Sequence, residues 1–288
     1  MSNFVKLIIL LQVFFILSLP SCGWLKGTQV KNSIEEANQS LRAGDFQKAL
    51  NTYQATYKKY RKDSEVRKNY IETIESVKAR GDNAFGADDF VQAQITYELL
   101  LENYLRFNDF SNLLSFKEQF LVARIKSCRT HLAEKQAQYC LKTRDFQGGI
   151  DVHRSLLEQY PSDKTVRNRY LSFLESVKRQ ADVEFENKGY ASSGRSYRVL
   201  LNNYSSLNHL KRFLSYSAGF LETRIDACRK ILFEKGLARY RSGDLEQAIS
   251  TWKMILTFDP ENPEVKKATE KATFQTKSLK RIKSNENK

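Results

Sequence analysis

Residues 236–260 read GLARYRSGDLEQAISTWKMILTFDP. Gly243-Asp244 has the chemistry of a turn between helices, because glycine suits the residue past a helix C-terminus and aspartate suits the cap of the helix that follows. Leu245 then opens a second helix. Ala248 comes three residues later and Trp252 four beyond it, Tyr240 lies five before the anchor, and Asp259-Pro260 ends the run. A small side chain lets two antiparallel helices approach closely, and a ring one turn along the same face fills the groove beside that contact. The stretch is a helical hairpin.

The same pattern recurs upstream. Phe46, Phe90, Phe146 and Tyr190 match the anchor; Ala49, Ala93, Gly149 and Ser193 match the small residue; Tyr53, Tyr97, His153 and Tyr197 match the ring; Leu41, Phe85, Leu141 and Phe185 match Tyr240. A larger duplication encloses the pattern. Shifted by 100 residues, Val66-Arg67, Tyr70 and Glu75-Ser76-Val77-Lys78 meet Val166-Arg167, Tyr170 and Glu175-Ser176-Val177-Lys178, and Arg124-Ile125 and Cys128-Arg129 meet Arg224-Ile225 and Cys228-Arg229. A fixed period marks an array whose units bury apolar faces against their neighbours. The expected fold is all-α, a solenoid of about five elongated hairpins over 31–260. One more helix should cap it from Glu261, where Val265, Ala268, Ala272, Leu279 and Ile282 recur at helical spacing. Twelve Gly and four Pro in 288 residues argue against a many-turned β-sandwich and against the glycine loops of nucleotide-binding enzymes.

These units resemble tetratricopeptide repeats. Gly236, Gly243-Asp244, Ala248, Trp252 and Asp259-Pro260 stand at that family's spacing, while Lys235 and Arg239 depart from its usual Leu and Tyr. The anchors are 44, 56, 44 and 55 residues apart, against about 34 in the family, so helices or connections must be longer. The resemblance implies a scaffold for other proteins, with the first helix of each hairpin lining a concave peptide groove. Lys78, Asp82, Lys178 and Asp182 are then candidate groove contacts; the plainer reading is two exposed i,i+4 ion pairs. Arg124 and Arg224 either grip a partner carboxylate or border a packing face.

The N-terminus reads as an address. Lys6 is the only charge before residue 26, and the apolar run 7–19, LIILLQVFFILSL, is shorter than the roughly 20 residues needed to cross a membrane, as expected of a secretory signal. Leu19-Pro20-Ser21-Cys22 resembles the bacterial lipoprotein signal, with Pro20 a departure from it. That resemblance implies lipidation at Cys22, and Gly23 in place of Asp implies the outer membrane. The expected organisation is a signal over 1–21, a lipidated tether over 22–30, the repeats over 31–260, and a basic capping helix and tail over 261–288. The expected place is the bacterial envelope, anchored and facing the periplasm.

Forty-seven Lys+Arg against 33 Asp+Glu give a net charge of +14. From Val265 onward eight basic residues face two Glu, a net +6, and Lys266, Lys267, Lys277, Lys280, Arg281 and Lys283 form a candidate basic surface for anionic lipid or cell wall. Export argues against nucleic acid as the partner. Cys128, Cys140 and Cys228 are an odd set without a CxxC; on one helix the first two lie about 18 Å apart, too far for a disulfide. His131, His153 and His209 are single, and Glu75 and Glu175 recur without a carboxylate dyad. No catalytic residue, metal site or cofactor is assigned, and the expected role is non-enzymatic. The alternative is a cell-wall enzyme, or an enzyme accessory, acting on peptidoglycan.

Overall fold

The computed structural model describes residues 21–286, with the side chains of 21–26, 283, 284 and 286 left aside. Residues 1–20 of the expected signal, and Lys288, lie outside the described residues, as do the side chains of Cys22 and Lys283. The described chain is all-α: α1 (Ser21–Arg42), α2 (Phe46–Lys59), α3 (Ser64–Gly86), α4 (Phe90–Asn103), α5 (Glu118–Thr143), α6 (Phe146–Gln159), α7 (Lys164–Glu186), α8 (Tyr190–Tyr204), α9 (Ala218–Arg241), α10 (Leu245–Leu256) and α11 (Pro263–Glu286). Each expected anchor is the first residue of the second helix of a hairpin. The described helices form five hairpins followed by a C-terminal helix, with no strand among them.

One local device makes every hairpin. The residue before the cap has positive φ at Gly44 (81°), Asp88 (59°), Arg144 (63°), Lys188 (62°) and Gly243 (79°), the left-handed step that reverses the chain after a helix. Asp45, Asp89, Asp145 and Asp244 follow, and their carboxylates accept the backbone N–H three residues on, at 3.0, 3.1, 3.0 and 3.3 Å. Two of the turns between hairpins are closed similarly by Asp63 and Asp163, each capping two N–H groups.

The unusual spacing is absorbed in two places. First helices of 23 to 26 residues outlast their 12- to 15-residue partners. In addition, 3-10 segments at Tyr104–Phe110 and Ser205–Phe213 follow α4 and α8. The first segment buries Phe107 and Phe110 edge-on against Tyr70, at ring separations of 6.0 and 5.3 Å.

Two compact units divide within α5, one ending at Leu132 and the other beginning at Ala133. Each has its own core. In the first, Ala49 and Ala93 are fully buried and Tyr53 stacks on Tyr70 at 5.8 Å. In the second, Ser193 and Ala248 take the small position, and Trp252 stacks on Phe233 at 5.9 Å while its indole N–H donates to the Phe233 carbonyl. Gly236 is required there, because a Cβ would overlap the Trp252 indole. No described helix is long and apolar enough to cross a membrane.

The C-terminal helix corrects one expectation. Val265 and Ala272 are buried and Ala268 is partly buried on the core, as the spacing predicts, but Leu279 and Ile282 are exposed. The helix α11 has 24 residues and α10 only 12, about 36 Å against 18 Å, so the far end of α11 outruns the helix that covers its beginning.

Candidate functional site

The four candidate groove residues are drawn into the helix packing. Lys78 Nζ lies 2.7 Å from Asp82, with side chains 20% and 32% exposed, and Lys178 lies 2.8 Å from Asp182 at 22% each. They are half-buried because the second helix of the hairpin reaches over them. The buried Tyr97 hydroxyl donates to Asp82 at 2.7 Å, and Tyr197 donates to Asp182. Each ammonium also sits above a ring, Lys78 over Phe120 at 5.2 Å and Lys178 over Phe220 at 5.1 Å. Burial pushes the Asp82 carboxyl up, but the hydrogen bonds from Lys78 and Tyr97 outweigh it and hold the group below the usual carboxylate range. Both i,i+4 ion pairs form as the plainer reading has it, but they are half-buried rather than exposed and are tied to the facing helix by a tyrosine.

Arg124 and Arg224 border a packing face. The Arg124 guanidinium lies over Phe85 and Phe120 at 4.5 and 5.2 Å, and that of Arg224 over Phe185 and Phe220 at 4.9 and 5.4 Å. The repeated glutamates also have a structural task. Glu75 accepts from the backbone N–H and the hydroxyl of Ser115, both at 2.6 Å, and Glu175 does the same with Ser215. Each clamps the connection that follows a 3-10 segment onto the first helix of the preceding hairpin. Sequence reading noticed that these glutamates recur but missed the clamp, whose only signal was a serine 40 residues later in both copies.

Cys128, Cys140 and Cys228 are buried free thiols, and burial pushes the Cys228 thiol up to about 11. They have the inert character of core residues. His153 occupies the ring position as expected, stacked on Tyr170 at 5.8 Å and tilted against Phe173 at 5.1 Å. Among the described residues, no group of three His, Cys, Asp or Glu side chains is arranged to hold a metal ion.

The basic surface is partly engaged. Lys266 pairs with Glu261 at 2.7 Å and Lys280 with Glu246 at 2.9 Å. Lys267, Lys271 and Lys277 are exposed on the same helix, and Phe274 among them is 73% exposed. The Phe274 ring borders two shallow clefts, one formed with Leu256 and Thr269 and the other with Tyr240, Leu245 and Leu279. Cations around an uncovered aromatic side chain suit a surface that is both anionic and apolar.

No family model and no curated protein sequence matches the chain.

Proposed function

We propose that this chain is a bacterial envelope lipoprotein whose tetratricopeptide-like hairpins form a non-catalytic scaffold for other envelope proteins. A secretion, pilus or outer-membrane assembly is the proposed setting. The observation that carries the reading is the hairpin frame. Five turns share one positive-φ step, the small residue after each is buried, and several polar residues common to both copies, among them Glu75, Asp82, Glu175 and Asp182, hold neighbouring segments together. A repeated core with surfaces that differ from copy to copy is what a modular binding protein requires.

The proposed anchor is a lipidated Cys22, supplemented by the basic face of α11 on anionic headgroups. Two-signal anchoring of this kind holds a folded domain at a bilayer. Labelled palmitate should enter the wild-type chain and not Cys22→Ser, and in-cell cross-linking should capture a defined set of envelope proteins through the anchored form. Equal labelling of both chains defeats the anchor. Absence of any captured envelope protein defeats the scaffold.

A further inference from the structure

The second unit holds a cleft of about 630 Å³ where the first turn of α8 and the C-terminal half of α9 meet α10. Lys188, Arg195, Lys235 and Arg239 line it together with Leu232 and Met254, and no carboxylate lines it. All four cations are exposed. Arg239 makes a loose pair with Asp244 at 3.6 Å, Arg195 donates to the Thr257 hydroxyl at 3.3 Å, and Lys235 lies 4.8 Å from the centre of the Tyr190 ring. Lys188 and Lys235 have no carboxylate partner among the described ion pairs.

Two comparisons within the chain mark this cleft as specialised. The first is the helix cap. Four of the five second helices are preceded by an aspartate whose carboxylate takes an N–H of the first turn, whereas Gly189 precedes α8 and supplies no side-chain cap. That uncapped turn, with its positive end of the helix dipole, borders the cleft. The second is the earlier copy of the same sequence. One hundred residues upstream of Lys188, Gly189, Arg195 and Lys235 stand Asp88, Asp89, Ile95 and Lys135, and in the register that matches Tyr240 with Leu141 the counterpart of Arg239 is Cys140. In sequence, the earlier copy thus carries one cation and two carboxylates at the positions where the later one carries four cations and none. Lys235 and Arg239 are also the two positions at which the fifth hairpin departs from the repeat pattern it resembles.

We propose that this cleft binds an acidic segment of a partner protein. Carboxylates would be held by Arg195, Lys235, Arg239 and the open first turn of α8, and an apolar side chain would rest against Leu232 and Met254. The mixed lining favours a peptide over a bare anion, since charge alone would leave the apolar wall without a partner. The cleft is walled by the second helices α8 and α10 and by the C-terminal half of α9, a first helix, so it differs from a groove lined by first helices alone. The inference rests on the scaffold reading and adds the chemistry of one partner.

The test uses the full chain in detergent and fluorescence anisotropy at low salt, with a 12-residue peptide alternating Glu with Leu and Ala and a counterpart carrying Gln for Glu. The Glu peptide should bind about tenfold more tightly than the Gln peptide, and the double variant Arg195→Gln/Lys235→Gln should lose about tenfold. Lys142→Gln/Lys164→Gln removes the same charge at exposed lysines of the second unit outside the cleft and should lose less than about twofold, the effect of long-range charge alone. Gly189→Asp supplies the carboxylate that the other four hairpins carry; it should keep the helix content and weaken the peptide. Equal losses in the two double variants, or equal binding of the Glu and Gln peptides, would overturn the proposal. Displacement of the Glu peptide by millimolar inorganic phosphate, but not by acetate, would overturn it in favour of a phosphate-bearing ligand. If the cleft variants leave peptide binding intact while in-cell cross-linking still captures partners, the cleft fails and the scaffold stands; cleft binding without any captured partner is the reverse.

Discussion

Asp82 illustrates how a surface-type ion pair becomes a core element. Its carboxylate takes both the Lys78 ammonium and the Tyr97 hydroxyl, so removing it leaves a buried phenol and a half-buried cation without their acceptor. Asp82→Ala should lower unfolding stability by about 2 kcal/mol, read from chemical denaturation of the full chain. His153 is the titratable counterpart. Its ring is 2% exposed, its Nδ1 has no hydrogen-bond partner among the described residues, and burial, aided by Arg169 and opposed by Glu134, lowers its pKa from 6.5 to about 4. An unfolded chain therefore takes up a proton near pH 6.5 while the folded one does not until about pH 4. Stability from this group is present at neutral pH and is lost as pH falls between those values, by up to about 3 kcal/mol. His153→Tyr, which restores the ring found at the matching position of the first copy, should remove that part of the acid sensitivity in denaturation curves taken from pH 7 to 4.5.

At the scale of the element, the turn and the helix contact have separate requirements. Gly243 has φ of 79° and open space where a Cβ would stand, so Gly243→Ala meets only the left-handed backbone penalty and should lower stability by about 1 kcal/mol. Gly149 is different. A Cβ there would overlap the Phe173 ring, and the first copy solves the same contact with Ala49, Tyr53 and Thr73 where the second has Gly149, His153 and Phe173. Gly149→Ala alone should cost about 2 kcal/mol through overpacking. The triple variant Gly149→Ala/His153→Tyr/Phe173→Thr should recover part of that loss, because the three side chains share one space and their effects are not additive. Thermal melts of the single and triple variants compare them directly; a triple variant weaker than the single would count against a shared contact.

For the whole molecule, the exposed face of α11 joins the uncovered Phe274 ring to an excess of positive charge. Near an anionic surface each lysine contributes about 1 kcal/mol, so Lys267→Gln/Lys271→Gln/Lys277→Gln should weaken binding to phosphatidylglycerol vesicles by about a hundredfold at low salt, with the difference shrinking as salt is raised. Sedimentation with vesicles of neutral lipid provides the comparison, and equal sedimentation with both would exclude an electrostatic surface contact. The fold behind these surfaces was largely legible: every anchor from Phe46 to Leu245 begins a helix, and the predicted Gly-Asp turns have the expected φ and caps. The candidate site was much less legible. Lys78 and Asp82 are visible as a pair in sequence, but Tyr97, which ties them into the core, belongs to the facing helix.

What the sequence by itself determined is local: helical periodicity, a left-handed residue before a capping aspartate, and a small side chain one turn before a ring. Those signals act within about four residues, the range over which backbone hydrogen bonds and caps operate. Tertiary structure decided what each polar or apolar side chain does. It brought Ser115 to Glu75 across 40 residues, left Leu279 and Ile282 exposed where the covering helix ends, and gathered cations from Lys188 to Arg239 around one cleft. Those outcomes depend on which distant element covers a given face, and helical spacing along the chain does not specify that cover.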